Sequence, residues 1–374
     1  MSPARVTPVL CATMAARASP GRLWVVAVLW ALSAPTICST SRAAGPRRDD
    51  TPRVKARPSK SGRISVSGRD FVDSSGRVAR FEGVHLGDHW AGGVNINWTE
   101  AYFREAASWG ANVVRLQISP GNWRSADRGA YLKRLDQGVS WAAAKDMYVI
   151  LCWHGIGDPV RGFHSPAHPY FGADLAASKA FWATVSERYK ADPVVAFYEI
   201  FNEPHEGFGS PRLTWPEWKA AAEEIIDVIR ARNPHAIAMV GGLHYALDLR
   251  GAASDPVERS GIAYTGHFFP YSASGRRAFD PEGFTDRFGF LAKTHPVFVT
   301  EFGYSAEPAS AYRSTAKDYG EPIVDHMRRQ GISWVAALFV PGWDPALISD
   351  WDFTPTDFGR QIKSALADQP KGRQ

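Results

Sequence analysis

Eight short β-rich runs, most of them followed by a stretch with helical spacing, constrain this chain more than any other feature of its sequence. They lie at 81–86, 112–118, 148–153, 197–201, 237–240, 262–265, 297–300 and 333–339 and are close to continuously apolar. A strand with one wet face alternates in polarity, whereas a strand covered on both faces does not need to. Segments 99–109, 131–145, 175–189, 215–230, 281–293, 309–329 and 357–367 carry apolar residues three and four apart, as amphipathic helices do. The stretch 245–258, between the fifth and sixth runs, is poor in this pattern and reads as loop. Strand and helix alternating eight times over roughly 300 residues predicts an α/β chain folded as a (β/α)8 TIM barrel. A doubly wound sheet is the alternative, but no Gly-x-Gly-x-x-Gly follows the first run.

Upstream, ISVSGRDFVDSSGRVARF alternates around Ser74-Ser75-Gly76 and predicts a β-hairpin that caps the base of the barrel. Residues 1–44 combine Arg5, Arg17 and Arg22, an apolar run from Leu23 to Leu32 and a small-residue exit, the pattern of a secretory signal peptide. Met14 would give that signal more usual proportions, and Ile37 before Cys38 argues against a lipid anchor there. The run is short of the roughly 20 apolar residues that a membrane span needs. Residues 45–62 are basic and aperiodic, which predicts a flexible tether, leaving 63–370 as the barrel domain. Secretion, or delivery to the periplasm, is the expected destination.

Charge follows this division. The chain of 374 residues carries a formal +5, which invites a nucleic-acid reading. Residues 1–60, however, hold ten basic and two acidic side chains, so the remainder is slightly acidic at −3. No nucleic-acid partner is expected, nor a membrane once the signal has gone. Cys11 and Cys38 lie in the signal, so Cys152 is left alone in the barrel and packing rather than disulfides must hold it.

In a barrel of this kind chemistry gathers where strands end. The first run ends at His85, with His89 and Trp90 beyond; the second holds Arg115 and Gln117; the third ends at Trp153-His154. The fourth ends at Asn202-Glu203-Pro204-His205-Glu206, the sixth at His267 and the seventh at Glu301. Two carboxylates on one rim suggest hydrolysis of a glycosidic bond, one acid protonating the departing oxygen while the other carboxylate attacks carbon or activates water. Arg115 beside one of them would keep it ionised, and a more apolar setting would keep the other protonated.

Ile200-Phe201-Asn202-Glu203-Pro204, Val299-Thr300-Glu301-Phe302-Gly303, Val114-Arg115-Leu116 and Cys152-Trp153-His154 resemble the signature segments of glycoside hydrolase family 5, the cellulase-type retaining glycosidases. The two glutamates stand 98 residues apart, and the resemblance runs from about residue 64 to 359. It implies that Glu203 is the general acid/base and Glu301 the nucleophile. It further implies that Asn202 bonds the substrate 2-hydroxyl, that Arg115 holds Glu301 ionised, and that His154 and His267 line the sugar subsite. No cofactor is implied. Two positions depart from the family pattern: Phe269 stands where a tyrosine usually follows the strand-six histidine, and neither Ala337 nor Leu338 is the usual strand-eight tryptophan. Tyr271 and Trp343 are the candidate replacements.

Exposed tryptophan suits a sugar cleft, because the C–H face of a pyranose packs on an aromatic face. Trp90, Trp98, Trp123, Trp215 and Trp343 fall in rim loops, and Trp90 and Trp123 join Trp343 as candidate substrate contacts. His154, Asp158, His164 and His168 admit a metal-site reading, but the last two sit among Gly, Ser and Pro rather than on one helix face, so no metal is expected. The function expected is a secreted, monomeric, retaining endo-β-1,4-glucanase acting on a β-linked polysaccharide or oligosaccharide. The alternatives are a β-mannanase or other β-glycan hydrolase, a glycan-binding barrel with impaired catalysis, and a metal-dependent hydrolase.

Overall fold

The computed structural model describes residues 53–90, 96–164, 169–205, 212–270 and 277–368. The predicted signal, most of the tether, Tyr271, His168 and Glu206 lie outside the described residues. Among the described residues fourteen strands follow in chain order: β1 (Val54–Lys55), β2 (Ser65–Ser67), β3 (Asp70–Val72), β4 (Val78–Arg80), β5 (Glu82–Leu86), β6 (Val113–Ile118), β7 (Tyr148–Trp153), β8 (Ile156–Gly157), β9 (Val195–Glu199), β10 (Glu203–Pro204), β11 (Ile237–Gly241), β12 (Ile262–Phe268), β13 (Val297–Phe302) and β14 (Ser333–Ala336). Eight of them, β5, β6, β7, β9, β11, β12, β13 and β14, pair in parallel and close into a barrel. Each lies on one of the eight predicted runs. The fourth begins two residues earlier than predicted, and β14 stops at Ala336 rather than 339.

Alternation along the strands sorts the core. Val114, Leu116, Val149, Leu151, Tyr198, Ala238, Val240, Tyr264 and Val299 belong to the apolar layer under the helices. Their neighbours Val113, Tyr148, Ile150, Phe197, Ile237, Met239, Ala263, Phe298 and Val335 form a second apolar cluster filling the barrel near the start of its strands. One step higher on the same inward parity the side chains turn polar, with Arg115, Cys152, Glu199 and Thr300 all buried. A plug of hydrocarbon therefore lies beneath a polar floor, and the strand ends above it carry the chemistry.

The β-hairpin does cap the base, but it is larger than predicted: β2, β3 and β4 make an antiparallel meander and β1 joins β4 in parallel. Phe71 of β3 meets Phe81 and Phe197 edge to face at 5.6 and 5.2 Å. Each such contact adds about 0.5–1.5 kcal/mol beyond burial. The tether prediction is corrected at its carboxyl end. Residues 53–62 are ordered, because Arg57 reaches the carbonyls of Ala111 (2.9 Å) and Asp146 (3.2 Å). Lys55 and Arg80 also join Arg328 around the buried carboxylate of Glu82.

Helices follow the predicted segments, with aspartate caps at Asp127 and Asp174 accepting from Ala130 and Ala177 at 2.8 and 2.7 Å. Segment 309–329 is helical only in its second half, Glu321–Gln330 after a short wide turn at Ala316–Gly320. The unit between β11 and β12 has only two four-residue turns, in keeping with its weak pattern. Among the described residues no helix is long and apolar enough to cross a membrane.

Candidate active site

Arg115, rising from β6 into the middle of the barrel, organises the rim. Its Nε donates to Glu199 Oε2 (2.5 Å), Nη1 to Glu301 Oε1 (2.6 Å) and His85 Nδ1 (2.9 Å), and Nη2 to Asn202 Oδ1 (2.5 Å) and Cys152 Sγ (3.0 Å). The register places these partners at one height: His85 pairs with Arg115 and Cys152 with Glu199. A bulge between Gly266 and His267 then brings His267 opposite Glu301. The guanidinium is fully buried, and the carboxylates of Glu199 and Glu301 make its burial tolerable while raising its pKa further.

Glu203 stands at the start of the short rim strand β10, which pairs with β8. Its N–H donates to Gly155 O at 3.0 Å and that of His205 to Gly157 O at 2.8 Å, so the backbone at the carboxylate is pinned on both sides. His267 Nδ1 donates to Glu203 Oε1 at 2.9 Å and lies 3.9 Å from Glu301 Oε2. One oxygen of Glu203 lies within 4.8 Å of one oxygen of Glu301.

The environments drive the two carboxyls apart. Burial pushes Glu203 upward and outweighs the hydrogen bond from His267, so its pKa is raised. Burial pushes Glu301 upward as well, but His267, Arg115 and His154 overcome it and bring it down to about 2. His267 is raised, because the two carboxylates outweigh its own burial. His154 falls to about 3 and His85 well below its ordinary value, both chiefly through burial. The rim therefore sets a carboxyl raised above its ordinary value against a carboxylate held well below it, beside two imidazoles that burial depresses.

Asn202, Glu203, Arg115, His154, His267 and Glu301 thus lie together on one rim. Asn202 Nδ2 and His267 Nε2 are buried with no hydrogen-bond partner among the described residues, two donors left for a ligand. Trp343 is 48% exposed in the loop after β14, where Ser310 Oγ holds the neighbouring Asp344 at 2.9 and 2.7 Å. Trp90 is half-buried, its N–H on Asp88 at 2.9 Å. Trp123 is a correction: it is buried between Tyr131 and Phe181, at 5.4 and 4.9 Å, with the Arg128 guanidinium 3.5 Å over its ring. Neither face is free for a sugar. Trp98 and Trp215, also assigned to rim loops, are buried in the same core. Phe269 packs on Tyr312 at 4.9 Å, and Ala337 and Leu338 lie buried with Val340 near Ile96 and Trp351.

Sequence reasoning missed Glu199. It is wholly buried, accepting from Arg115 and from Thr300 Oγ1 (2.8 Å), and so links β6, β9 and β13 beneath the carboxylates. The signal was available: it is an acid on the inward parity of an apolar strand, three residues before Asn202.

Among the described residues two donor sets have the compactness of a metal site, His85–His154–Glu301 and Glu203–His267–Glu301, each with its atoms within 4.8 Å. Both depend on Glu301, which already meets the Arg115 cation at 2.6 Å, so a second cation there would face like charge. The sequence candidate Asp158 is turned away, accepting from Val160 N, Arg161 N and Arg161 Nη1 at 2.9–3.1 Å.

Comparison with known proteins adds to this geometry. The family described as Cellulase (glycosyl hydrolase family 5) matches residues 72–341. Endoglucanase E-5 of Thermobifida fusca is 27% identical over 309 residues, covering 75% of this chain and 58% of that protein. Endoglucanase C of Evansella cellulosilytica is 28% identical over 305 residues, covering 74% of this chain and 36% of that protein. The chain therefore spans about half the length of such relatives, or less. Among solved structures, a β-glucanase from Saccharophagus degradans in complex with cellotetraose superposes with a TM-score of 0.76 at 33% identity, covering 84% of this chain and 96% of that one.

Proposed function

The chain belongs to glycosyl hydrolase family 5, and from that premise we propose that it hydrolyses internal β-1,4-glucosidic bonds with retention of configuration. Glu203 is the general acid/base and Glu301 the nucleophile. The observation that carries the reading is the pair of carboxyls within 4.8 Å, one pushed up by burial and the other held at about 2 by His267 and Arg115. Retaining glycosidases place their carboxyls about 5–5.5 Å apart, too close for an intervening water to be the first nucleophile.

Glu301 attacks the anomeric carbon as Glu203 gives its proton to the departing oxygen, leaving a glycosyl ester on Glu301 and a free chain end. Glu203, now ionised, takes a proton from water, the water oxygen bonds the anomeric carbon, and the ester breaks. Asn202 Nδ2 donates to the 2-hydroxyl, a contact that tightens as positive charge develops on the ring. His154 and His267 line the same subsite, and Trp343 and Trp90 are the aromatic candidates for sugar contact. No cofactor takes part. The endoglucanase relatives and the cellotetraose complex support a glucan as substrate. The basic, apolar and small-residue pattern of residues 1–44 supports export to where such polymers lie.

The test is reducing-sugar release from soluble carboxymethylcellulose, measured with and without EDTA. Activity indifferent to the chelator and lost in Glu301→Ala supports the reading. Activity that disappears with EDTA, or persists in Glu301→Ala, contradicts it.

A further inference from the structure

A guanidinium offers five N–H donors, and all five of Arg115 are taken, by Glu199, Glu301, His85, Asn202 and Cys152 Sγ. Two of these acceptors are carboxylates, one is an imidazole and one an amide oxygen. The fifth is a thiol, fully buried on the inward parity of β7, one step above Ile150. Neither step of the hydrolysis uses a thiol. Burial, helped by Glu199 and Glu301, pushes the thiol pKa well above its ordinary value and outweighs the pull of Arg115. Cys152 is therefore no nucleophile and no third anion on the guanidinium, and its contribution is geometric.

That geometry is a closed triangle. Arg115 Nη2 gives one proton to Asn202 Oδ1 at 2.5 Å and the other to Cys152 Sγ at 3.0 Å. Sγ lies 3.9 Å from the same Oδ1, toward which its S–H can point, and 3.7 Å from His154 Nδ1. The backbone ties Asn202 to β7 as well, its N–H donating to Trp153 O at 3.0 Å. Held in this way the carboxamide keeps its oxygen toward the guanidinium. Its Nδ2 is left buried with no partner among the described residues, the donor assigned to the sugar. A flipped amide would set Nδ2 against the N–H groups of Arg115. Without the sulfur, Nη2 would keep an unmade N–H in a buried site and could turn toward another acceptor, taking Oδ1 with it.

We propose that Cys152 is a positioning residue: as the fifth acceptor of Arg115 it fixes Nη2, and through Nη2 the Asn202 carboxamide that meets the substrate 2-hydroxyl. This rests on the role given to Asn202 above. The bond to the 2-hydroxyl strengthens as positive charge develops on the ring, so a loosened amide costs more in the transition state than in binding. A hydroxyl at position 152 keeps an acceptor for Nη2, whereas a methyl or isopropyl group keeps none.

The experiment measures kcat/KM of the full chain for 2,4-dinitrophenyl β-cellobioside and for its analogue lacking the 2-hydroxyl on the sugar that carries the dinitrophenyl group, spontaneous hydrolysis subtracted. The quotient of the two isolates the 2-hydroxyl contact and is indifferent to how much protein is folded. Cys152→Ala should lower the quotient roughly tenfold, the worth of one buried hydrogen bond, and Cys152→Val, which fills the space of the thiol, should match it. Cys152→Ser should stay within about threefold of the wild type. In an Asn202→Ala background, Cys152→Ala should lower the quotient no further. An unchanged quotient in Cys152→Ala or Cys152→Val, an equal fall in Cys152→Ser, or a further fall in the Asn202→Ala background overturns the positioning role alone. A quotient that Asn202→Ala itself leaves unchanged, or absence of any wild-type turnover of the dinitrophenyl glycoside, overturns the parent assignment, and the positioning role with it.

Discussion

Arg115 distributes its donors among five side chains, four of them on β5, β7, β9 and β13 and the fifth Asn202, and with His267 it holds Glu301 ionised. In the mechanism proposed above, activity on cello-oligosaccharides needs Glu301 ionised and Glu203 protonated. The acid limb of kcat/KM is therefore predicted to lie low, following the Glu301 value of about 2, and the basic limb above the ordinary carboxyl value of 4.5, following Glu203 upward. Replacing Arg115 by Met removes the cation at 2.6 Å and leaves burial to act, so the acid limb should move up by about 1–3 pH units. An acid limb that stays in place would show that Arg115 does not hold the nucleophile ionised. Glu203→Gln removes the acid, and should cost about 10²–10⁴ in kcat on oligosaccharides while sparing formation of the intermediate from the dinitrophenyl glycoside, whose leaving group needs no proton. At this scale the sequence was legible where a polar residue ends an apolar run, as at Glu203, His267 and Glu301. It was not legible at Trp123, whose burial depends on Tyr131 and Phe181 arriving from other segments, nor at Glu199, whose role exists only once Arg115 and Thr300 close round it.

The barrel strands and most helices were readable because their patterns are local: a run apolar throughout, or a 3.6-residue stripe behind an aspartate cap. The turn at Leu243–Ala246 shows the limit. Its left-handed backbone has no glycine to announce it, and it is held by bonds to Asp248 whose alignment appears only in the fold. Left-handed conformation costs a non-glycine residue about 1–2 kcal/mol. His244→Gly relieves one such residue at an exposed position, so the thermal midpoint should rise by about 2 °C. A lower midpoint measured by calorimetry would show that the turn is not strained at His244.

As a whole the molecule separates its tasks along the barrel axis. The base is sealed by Phe71, Phe81, Phe197 and Phe298, the middle is polar, and the mouth is reactive. The sequence placed the cap at the base but did not extend it to residues 53–62, because a two-residue strand and an arginine bound to distant carbonyls leave no periodic trace. A chain lacking residues 1–62 should therefore melt lower than one lacking 1–52, by about 5 °C or more, since it loses β1, Arg57 and the Lys55 contact to buried Glu82. Equal melting temperatures would show that this segment does not hold the base. The formal +5 of the chain belongs to residues 1–60, and the slightly acidic remainder suits a neutral polymer.

The central claim is that Glu301 forms a covalent bond to the sugar while Glu203 manages the proton. Incubation with 2,4-dinitrophenyl 2-deoxy-2-fluoro-β-cellobioside tests it most directly, because the fluorine slows turnover of the ester more than its formation. Mass spectrometry of the peptic digest should find the mass of one fluorocellobiosyl group on the peptide containing Glu301. Inactivation with the label on another residue, or turnover with no adduct under any condition, would contradict the account.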